Sequence, residues 1–376
     1  MSRPILIAGG GTGGHLMPAL ALAATLRELT SEFEPVLIGA RRGVEADILP
    51  TRDFRYSLLP LEPIYRRTWW RNVRWPVVAW RVYRRLGALF ATERPAAVLG
   101  TGGYASGPVV WWAARHGIPT AIQEQNAWPG LTTRRLSGRA RHIYLGLPEA
   151  AALLRPGPTT QVFDTGNPIV PPDPARRPAA LERFGLSGVE PVVLVTGGSQ
   201  GALAINRAIA GWLDAGGLGE RRLIWVTGRR THAEFARYHA PPRVHVADFL
   251  DPMADAYAVA DLVVSRAGMI TVAEICAWGL ASILVPLPTA AADHQTHNAR
   301  AMAGAGAALL VTQVGSAADG LPAALQALLS DSAGRAGMAA RARARGRPNA
   351  AREIVSRLLT LATETRPFAN RDKILG

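Results

Sequence analysis

The sequence predicts an α/β protein of two Rossmann-like, doubly wound parallel-sheet domains with an inter-domain cleft. Three observations carry that expectation. Strand-like runs alternate with helix-like ones, at residues 5–8, 36–38, 97–99, 120–122 and 141–145 in the first half and 192–196, 223–227, 244–247, 262–265 and 282–286 in the second. That alternation is the pattern of parallel sheets covered on both faces. Two glycine-rich turns, each following a short apolar run and opening a helix-like segment, lie roughly half a chain apart. Between them a proline-dense stretch without apolar periodicity runs from Gly166-Asn167-Pro168 through Pro171-Pro172-Asp173-Pro174 to Pro178. The expected boundaries are 1–168 for the first domain, 169–178 for the linker and 179–346 for the second, with a last helix within 347–376 packing back on the first.

The first turn reads Gly9-Gly10-Gly11-Thr12-Gly13-Gly14-His15 after Ile5-Leu6-Ile7-Ala8, and Met17, Leu20, Leu22 and Leu26 continue as an amphipathic helix. The second reads Gly197-Gly198-Ser199-Gln200-Gly201 after Val192-Val193-Leu194-Val195-Thr196, followed by Leu203, Ile205 and Ile209. Glycine lets the chain turn sharply and bring backbone N–H groups to an anion, which the helix N-terminus behind also favours. Such an end contributes roughly 0.3–1 kcal/mol per charge. Either loop can equally use its glycines for strand–helix packing alone. The GxxxxGK[ST] P-loop is absent, and no acidic residue stands about 20 residues on at the end of a second strand, which argues against a dinucleotide dehydrogenase.

A third glycine loop, Gly100-Thr101-Gly102-Gly103-Tyr104-Ala105-Ser106-Gly107-Pro108, follows Val98-Leu99, and Gln123-Glu124-Gln125-Asn126 and Gly166-Asn167-Pro168 end further strands. Polar groups thus gather at C-terminal strand ends, where open α/β sheets bind ligands, although each one alone can be a loop-stabilising group. In the second half, Arg266-Ala267-Gly268-Met269-Ile270-Thr271-Val272-Ala273-Glu274 leaves a strand and enters a helix. Thr271 and Glu274 are expected to share one face of its first turn. There the carboxylate either accepts from two sugar hydroxyls or merely complements the helix dipole. Asp293-His294-Gln295-Thr296-His297-Asn298 offers amide and imidazole groups suited to a sugar.

Composition bounds the rest. The 376 residues, 48% hydrophobic and 19% charged, suit two soluble globular domains. The single cysteine, Cys276, excludes a disulfide or a cysteine metal site and fits a reducing compartment. Only Arg3 precedes the first strand-like run and no long uncharged apolar segment occurs, so neither export signal nor membrane span is expected. The net charge of +14 favours anionic surfaces and is almost all arginine, Lys373 being the one lysine.

Charge is concentrated. From Pro63 to Thr92 no acidic residue occurs, while Arg66, Arg67, Arg71, Arg74, Arg81, Arg84 and Arg85 interleave with Tyr65, Trp69, Trp70, Trp75, Trp80 and Tyr83. Seven arginines at roughly 2.5–3.5 kcal/mol each exclude a span, at a cost on the order of 20 kcal/mol. Docking on a membrane is favoured instead, because tryptophan prefers the headgroup level and arginine gains about 1 kcal/mol near anionic lipid. Trp69, Trp70, Arg71 and Arg74 are its expected membrane contacts. The alternative is an arginine-rich helix whose tryptophans are core. Nucleic acid is not expected, since no recognised binding motif accompanies the patch.

Six ordered motifs carry a resemblance that covers nearly the whole chain: GGTGGH at 10–15, GGYxSGP at 102–108, EQN at 124–126, GNP at 166–168, GGSQGA at 197–202 and RxGxxTxxE at 266–274. They resemble the MurG family of undecaprenyl-diphospho-muramoylpentapeptide N-acetylglucosaminyltransferases, in glycosyltransferase family 28. The resemblance implies a GT-B fold and inverting transfer of N-acetylglucosamine from UDP-N-acetylglucosamine to the 4-hydroxyl of the muramoyl sugar of lipid I, giving lipid II. It implies no cofactor and no metal, a place at the cytoplasmic face of the bacterial inner membrane, and UDP-GlcNAc, lipid I, anionic inner-membrane lipids and cell-wall synthesis proteins as partners. Alternatives are another GT-B glycolipid transferase, a UDP-N-acetylglucosamine 2-epimerase, or a non-catalytic nucleotide-sugar sensor at the membrane.

Carried over by position, the resemblance gives Leu250 the uracil through its backbone, Glu274 the ribose hydroxyls and Ser199 the diphosphate. Met269, Ile270, Thr271 and Gln295 hold the diphosphate or the sugar, and Thr12, Gly13, Gly14 and Asn126 reach the donor from the first domain. Gly10, Gly11, Gly103, Tyr104 and Ser106 cradle the acceptor. Three positions depart from the family pattern: Val170 replaces an arginine, for which Arg176 or Arg177 could substitute, Gln123 replaces a histidine, and His294 replaces a glutamine. No Asp-x-Asp pair occurs, so metal-free stabilisation of the leaving phosphate by the glycine loops and Arg266 is expected. His15 is the expected general base, with Glu124 in reserve; alternatively His15 only orients a phosphate.

Overall fold

Residues 2–62, 69–198, 200–315 and 318–364 are described by the structure, a computed structural model, apart from the side chains of Trp69, Arg71 and Asn72. The chain divides into two units, Met1–Ile169 with Asn349–Gly376, and Val170–Pro348.

The first unit holds a parallel sheet of β1 (Arg3–Ala8), β2 (Phe33–Ala40), β3 (Arg55–Leu59), β4 (Ala97–Gly100), β5 (Thr120–Glu124), β6 (His142–Leu145) and β7 (Gln161–Asp164). Their spatial order is β3-β2-β1-β4-β5-β6-β7. Around it lie α1 (Gly13–Leu29), α2 (Val44–Ile48), α3 (Trp75–Glu93), α4 (Gly103–Arg115) and α5 (Leu131–Leu136). Strand alternation splits the core. Leu6, Val36, Val98 and Ile122 pack with Val82, Leu86 and Phe90 of α3 and with Val109 and Trp112 of α4. Ile5, Ile7, Leu37 and Leu99 pack on the other face with Leu22 and Leu26 of α1. Both faces are covered, which is why the central strands read as unbroken apolar runs.

The second unit holds helices α6 (Arg177–Phe184), α7 (Leu203–Asp214), α8 (His232–Phe235), α9 (Ala254–Val259), α10 (Met269–Trp278), α11 (His294–Gly304), α12 (Gly320–Ser330) and α13 (Ser332–Arg345). Its strands are β8 (Val192–Thr196), β9 (Arg222–Val226), β10 (Val244–Ala247), β11 (Leu262–Ser265), β12 (Ala281–Leu284) and β13 (Leu309–Leu310), parallel in the order β10-β9-β8-β11-β12-β13. In both units the order reverses beside the first strand, the crevice where such sheets bind ligands. The closing helix α14 (Ala350–Glu364) belongs to the first unit, where Ile354, Val355, Leu358 and Leu361 pack in the α1 core.

Arginines of α13 cap helix ends in the second unit. Arg335 donates to the Leu328 and Leu329 carbonyls, Arg341 to Gly306 and Arg343 to Trp278. Part of the chain's arginine excess is therefore fold chemistry, since cations near helix C-termini satisfy orphan carbonyls and complement the dipole.

Candidate functional site

In the first unit the loops after β1 and β4 meet backbone to backbone. A Cβ on Gly9 would lie 1.9 Å from Thr101 Oγ1, and one on Gly103 would lie 2.0 Å from the Gly10 carbonyl oxygen. Only glycine permits that approach. His15, half-buried in the first turn of α1, is seated at the junction. Its Nδ1 is 3.0 Å from Thr12 Oγ1, and Thr101 Oγ1 donates to its carbonyl at 2.8 Å. The ring lies so close to Gly102 that a Cβ there would come 2.6 Å from His15 Cδ2. Thr12, Gly13 and Gly14 are exposed beside it, at the N–H end of α1.

Two expected acceptor contacts are turned inward. The Gly11 N–H donates to Glu45, at 2.9 Å and 3.1 Å to its two carboxylate oxygens, so it points away from any anion in front of the loop. Ser106 is buried, and its hydroxyl donates back to the Gly103 carbonyl at 3.2 Å, within its own helix turn. Gly10, Gly103 and Tyr104 stay at the loop junction, with the Tyr104 ring against Gly11. Glu45 itself was missed, because it stands five residues past β2 with no motif around it. It is fully buried and also accepts from the Ala40 N–H at 3.0 Å.

At the end of β5, Glu124 accepts from the Asn126 N–H (3.1 Å) and amide (3.3 Å), the Gly130 N–H (3.0 Å) and Thr133 Oγ1 (2.6 Å). A buried carboxylate so surrounded holds the loop that carries Asn126 and is poorly placed to take a proton; as the reserve base it is corrected to a positioning residue. Gln123, Gln125 and Asn167 form a buried amide chain. Gln123 Nε2 donates to Asn167 Oδ1 at 2.9 Å, and Asn167 Nδ2 donates to the Gln125 carbonyl at 3.1 Å. The departure at Gln123 therefore serves the frame.

In the second unit the loop after β8 lies against the turn after β9, where a Cβ on Gly201 would come 2.2 Å from the Thr227 carbonyl oxygen. Ser199 lies outside the described residues. A concavity of about 340 Å³ opens here, lined by Gln200, Arg229, Arg230 and Phe249, with the Arg229 guanidinium 5.0 Å over the Phe249 ring. Leu250, next in the chain, is buried.

Helix α10 opens at Gly268, and Met269, Ile270 and Thr271 form its first turn, which contains no acidic residue. Glu274 is one turn further in, too deep to act on the dipole at the helix end, which corrects the first-turn placement. It accepts a hydrogen bond from Tyr257 on α9 at 3.0 Å. Burial raises the Glu274 carboxyl to about 6, and the Tyr257 hydroxyl opposes that rise.

Arg266 and Gln295 clasp one segment. Arg266 donates to the Val285 and Pro286 carbonyls at 3.1 Å and 3.0 Å, and Gln295 Oε1 accepts from the Leu287 N–H at 3.0 Å. Burial lowers the Arg266 guanidinium from its usual value. One nitrogen, Nη1, of the arginine expected to meet the leaving phosphate is thus held by two strand-end carbonyls. Val170 is exposed, and neither expected substitute is available: Arg176 pairs with Asp255 at 2.8 Å, and Arg177 donates to the Ala258 carbonyl at 2.8 Å.

Of the expected membrane contacts, Trp70 and Arg74 are exposed, while the Trp69 and Arg71 side chains lie outside the described residues. Val73, Val77, Trp80 and Tyr83 are exposed too, at 74%, 53%, 58% and 50%, opposite the buried Val82, Leu86 and Phe90. Trp70 and Trp80 are therefore not core. Among the described residues no helix is long and apolar enough to cross a membrane.

Comparison with known proteins follows the same division. A family model described as the glycosyltransferase family 28 N-terminal domain matches residues 5–145, and one described as the family's C-terminal domain matches residues 192–354. A protein of Desulforamulus reducens named UDP-N-acetylglucosamine–N-acetylmuramyl-(pentapeptide) pyrophosphoryl-undecaprenol N-acetylglucosamine transferase is 37% identical, covering 93% of this chain and 96% of the relative. Its namesake in Chlorobium luteolum is 39% identical over 96% and 99%. The crystal structure of Acinetobacter baumannii MurG is similar with a TM-score of 0.75 at 26% identity, over 96% of this chain and 100% of that one. A UDP-GlcNAc 2-epimerase from Neisseria meningitidis shares the fold with a TM-score of 0.60 at 16% identity, over 96% and 100%.

Proposed function

We infer that the chain, which belongs to glycosyltransferase family 28, transfers N-acetylglucosamine from UDP-GlcNAc to N-acetylmuramyl-(pentapeptide) pyrophosphoryl-undecaprenol, turning lipid I into lipid II. The observation that carries this is likeness at 37–39% identity, over nearly the full length of both partners, to proteins that bear this one activity as their name. The epimerase reading has only the shared fold behind it.

The reaction is a single displacement. The 4-hydroxyl oxygen of the muramoyl sugar attacks C1 of the hexosamine, the bond from C1 to the β-phosphate oxygen breaks with its electron pair, and UDP leaves as the anomeric centre inverts. His15 takes the hydroxyl proton. Negative charge growing on UDP is met by the N–H groups of Met269, Ile270 and Thr271 at the start of α10, preorganised donors that cost no rearrangement during the step. Leu250 receives the uracil through its backbone, Glu274 the ribose hydroxyls, and Ser199 and Gln295 the diphosphate and sugar. The family pattern also assigns Thr12, Gly13, Gly14 and Asn126 to the donor. Gly10, Gly103 and Tyr104 receive the acceptor, and Glu124 fixes the Asn126 loop.

Incubating the protein with labelled UDP-GlcNAc and a lipid I analogue is expected to give labelled lipid II. Glu274→Ala should lower kcat/KM for the donor about 100-fold, the loss of one or two hydrogen bonds to a charged group. No product from the wild-type protein, or full activity in Glu274→Ala, contradicts the reading.

The same acceptor requires work at a bilayer surface, and the exposed stripe of Val73, Val77 and Trp80 with Arg74, Arg81 and Arg84 around it has the chemistry for that. Arg84 stacks 5.0 Å from the Trp80 ring, an amphipathic pair suited to the headgroup level. The protein is expected to bind vesicles containing phosphatidylglycerol, and Trp70, Arg74, Trp80 and Arg84 replaced together by alanine should abolish sedimentation with them at physiological salt. Unchanged sedimentation would sink the docking assignment.

A further inference from the structure

We propose that Tyr257 is a positioning residue for donor recognition: its buried hydroxyl donates to one carboxylate oxygen of Glu274 and so aims the other at the ribose. The proposal rests on the assignment of the ribose hydroxyls to Glu274. Its basis is the hydrogen bond of 3.0 Å from Tyr257 Oη to Glu274 Oε2, from a side chain only 3% exposed. No described residue donates to the second oxygen of Glu274.

Helix α9, which carries Tyr257, is six residues long and largely buried, and polar contacts anchor it further. Asp255 supplies one: it is held by Arg176 at 2.8 Å and Arg183 at 2.5 Å, both from the segment that opens the second unit. Arg177 supplies another through the Ala258 carbonyl. Two arginines that the sequence offered as phosphate ligands thus secure the helix from which the phenol reaches Glu274.

The pairing also sets a charge. Burial pushes the Tyr257 hydroxyl well above its usual value, so it stays protonated and keeps the hydrogen that it donates to the Glu274 carboxylate. Burial raises Glu274 to about 6 and the Tyr257 hydrogen bond restrains it, keeping the carboxylate available as a double acceptor at neutral pH. Charged groups on α9, just before α10 and on α13 have partners of their own. Asp255 is paired with Arg176 and Arg183, Arg266 with the Val285 and Pro286 carbonyls, and Arg343 of α13 with Trp278, while Arg345 of α13 acts on Cys276.

Tyr257→Phe keeps the ring and removes the donor. The expected result is a KM for UDP-GlcNAc raised about tenfold with kcat changed less than about twofold. The acid limb of 1/KM should move toward neutral pH, because Glu274 without its donor protonates more readily. A donor lacking the ribose 2′-hydroxyl should lose less affinity in Tyr257→Phe than in the wild type, the coupling that a double-substitution cycle reads. An unmoved acid limb together with an equal loss for both donors overturns the proposal, even if thermal stability falls. Wild-type donor binding in Glu274→Ala would instead remove the assignment beneath it, whatever Tyr257→Phe does.

Discussion

His15→Ala is expected to lower kcat with lipid I between about 100- and 10,000-fold, the range for losing a positioned general base, while UDP-GlcNAc still binds. The imidazole is set by three features of the first unit: the Thr12 hydroxyl at its Nδ1, the Thr101 hydroxyl on its carbonyl, and the bare backbone of Gly102 and Gly103 against its ring. Gly102→Ala offers an independent check, since the new methyl would have to displace the ring and Gly102 has a φ of +98°, which side chains rarely adopt. It should repeat much of the loss with His15 still present. A role confined to orienting phosphate gives a different outcome: His15→Gln, which keeps hydrogen bonding and cannot titrate, would then restore turnover.

The fold was legible wherever burial on both sheet faces forced unbroken apolar runs, as at Val192–Thr196 of β8. It was illegible at three of the four sheet edges, β10 at 244–247 being the exception. Strands β3, β7 and β13 carry Arg55, Tyr56, Gln161 and Asp164, or run for only two residues, because an edge strand with an open flank needs no such run. The site divides along a similar line. Glycine spacing located the loops, since backbone approach admits no other residue. It could not say whether a polar side chain in a motif serves a ligand or the frame. Ser106, Glu124 and Arg266 are all motif residues whose hydrogen bonds go to their own loops and strand ends. Glu45 and Tyr257 show the converse. Each works on a site residue, Gly11 or Glu274, from 34 or 17 positions away, and no local pattern marks such a pair.

Glu45→Ala is expected to destabilise the first unit strongly while sparing the hydrophobic core. The carboxylate is 0% exposed, and it accepts from the N–H groups of Gly11 and Ala40, tying the first glycine loop to the end of β2. A Cβ on either Gly10 or Gly43 would strike it, so the space it fills is shaped for it. Removing it strands the buried Ala40 donor, at about 1–3 kcal/mol, and leaves the part-buried Gly11 donor to water at a smaller cost, against a total stability of about 5–15 kcal/mol. Glu45→Gln separates packing from charge: volume is kept, but the amide turns an N–H toward one of two donors, so it should fall between wild type and Glu45→Ala in thermal unfolding. Because Gly11 follows directly on the Gly10 contact to Gly103, the loop should also slide, raising the acceptor KM in Glu45→Gln while the UDP-GlcNAc KM holds. A melting temperature for Glu45→Ala within a degree of wild type would show that the loop needs no buried anchor, and would return the Gly11 N–H to the list of groups free to meet the lipid diphosphate.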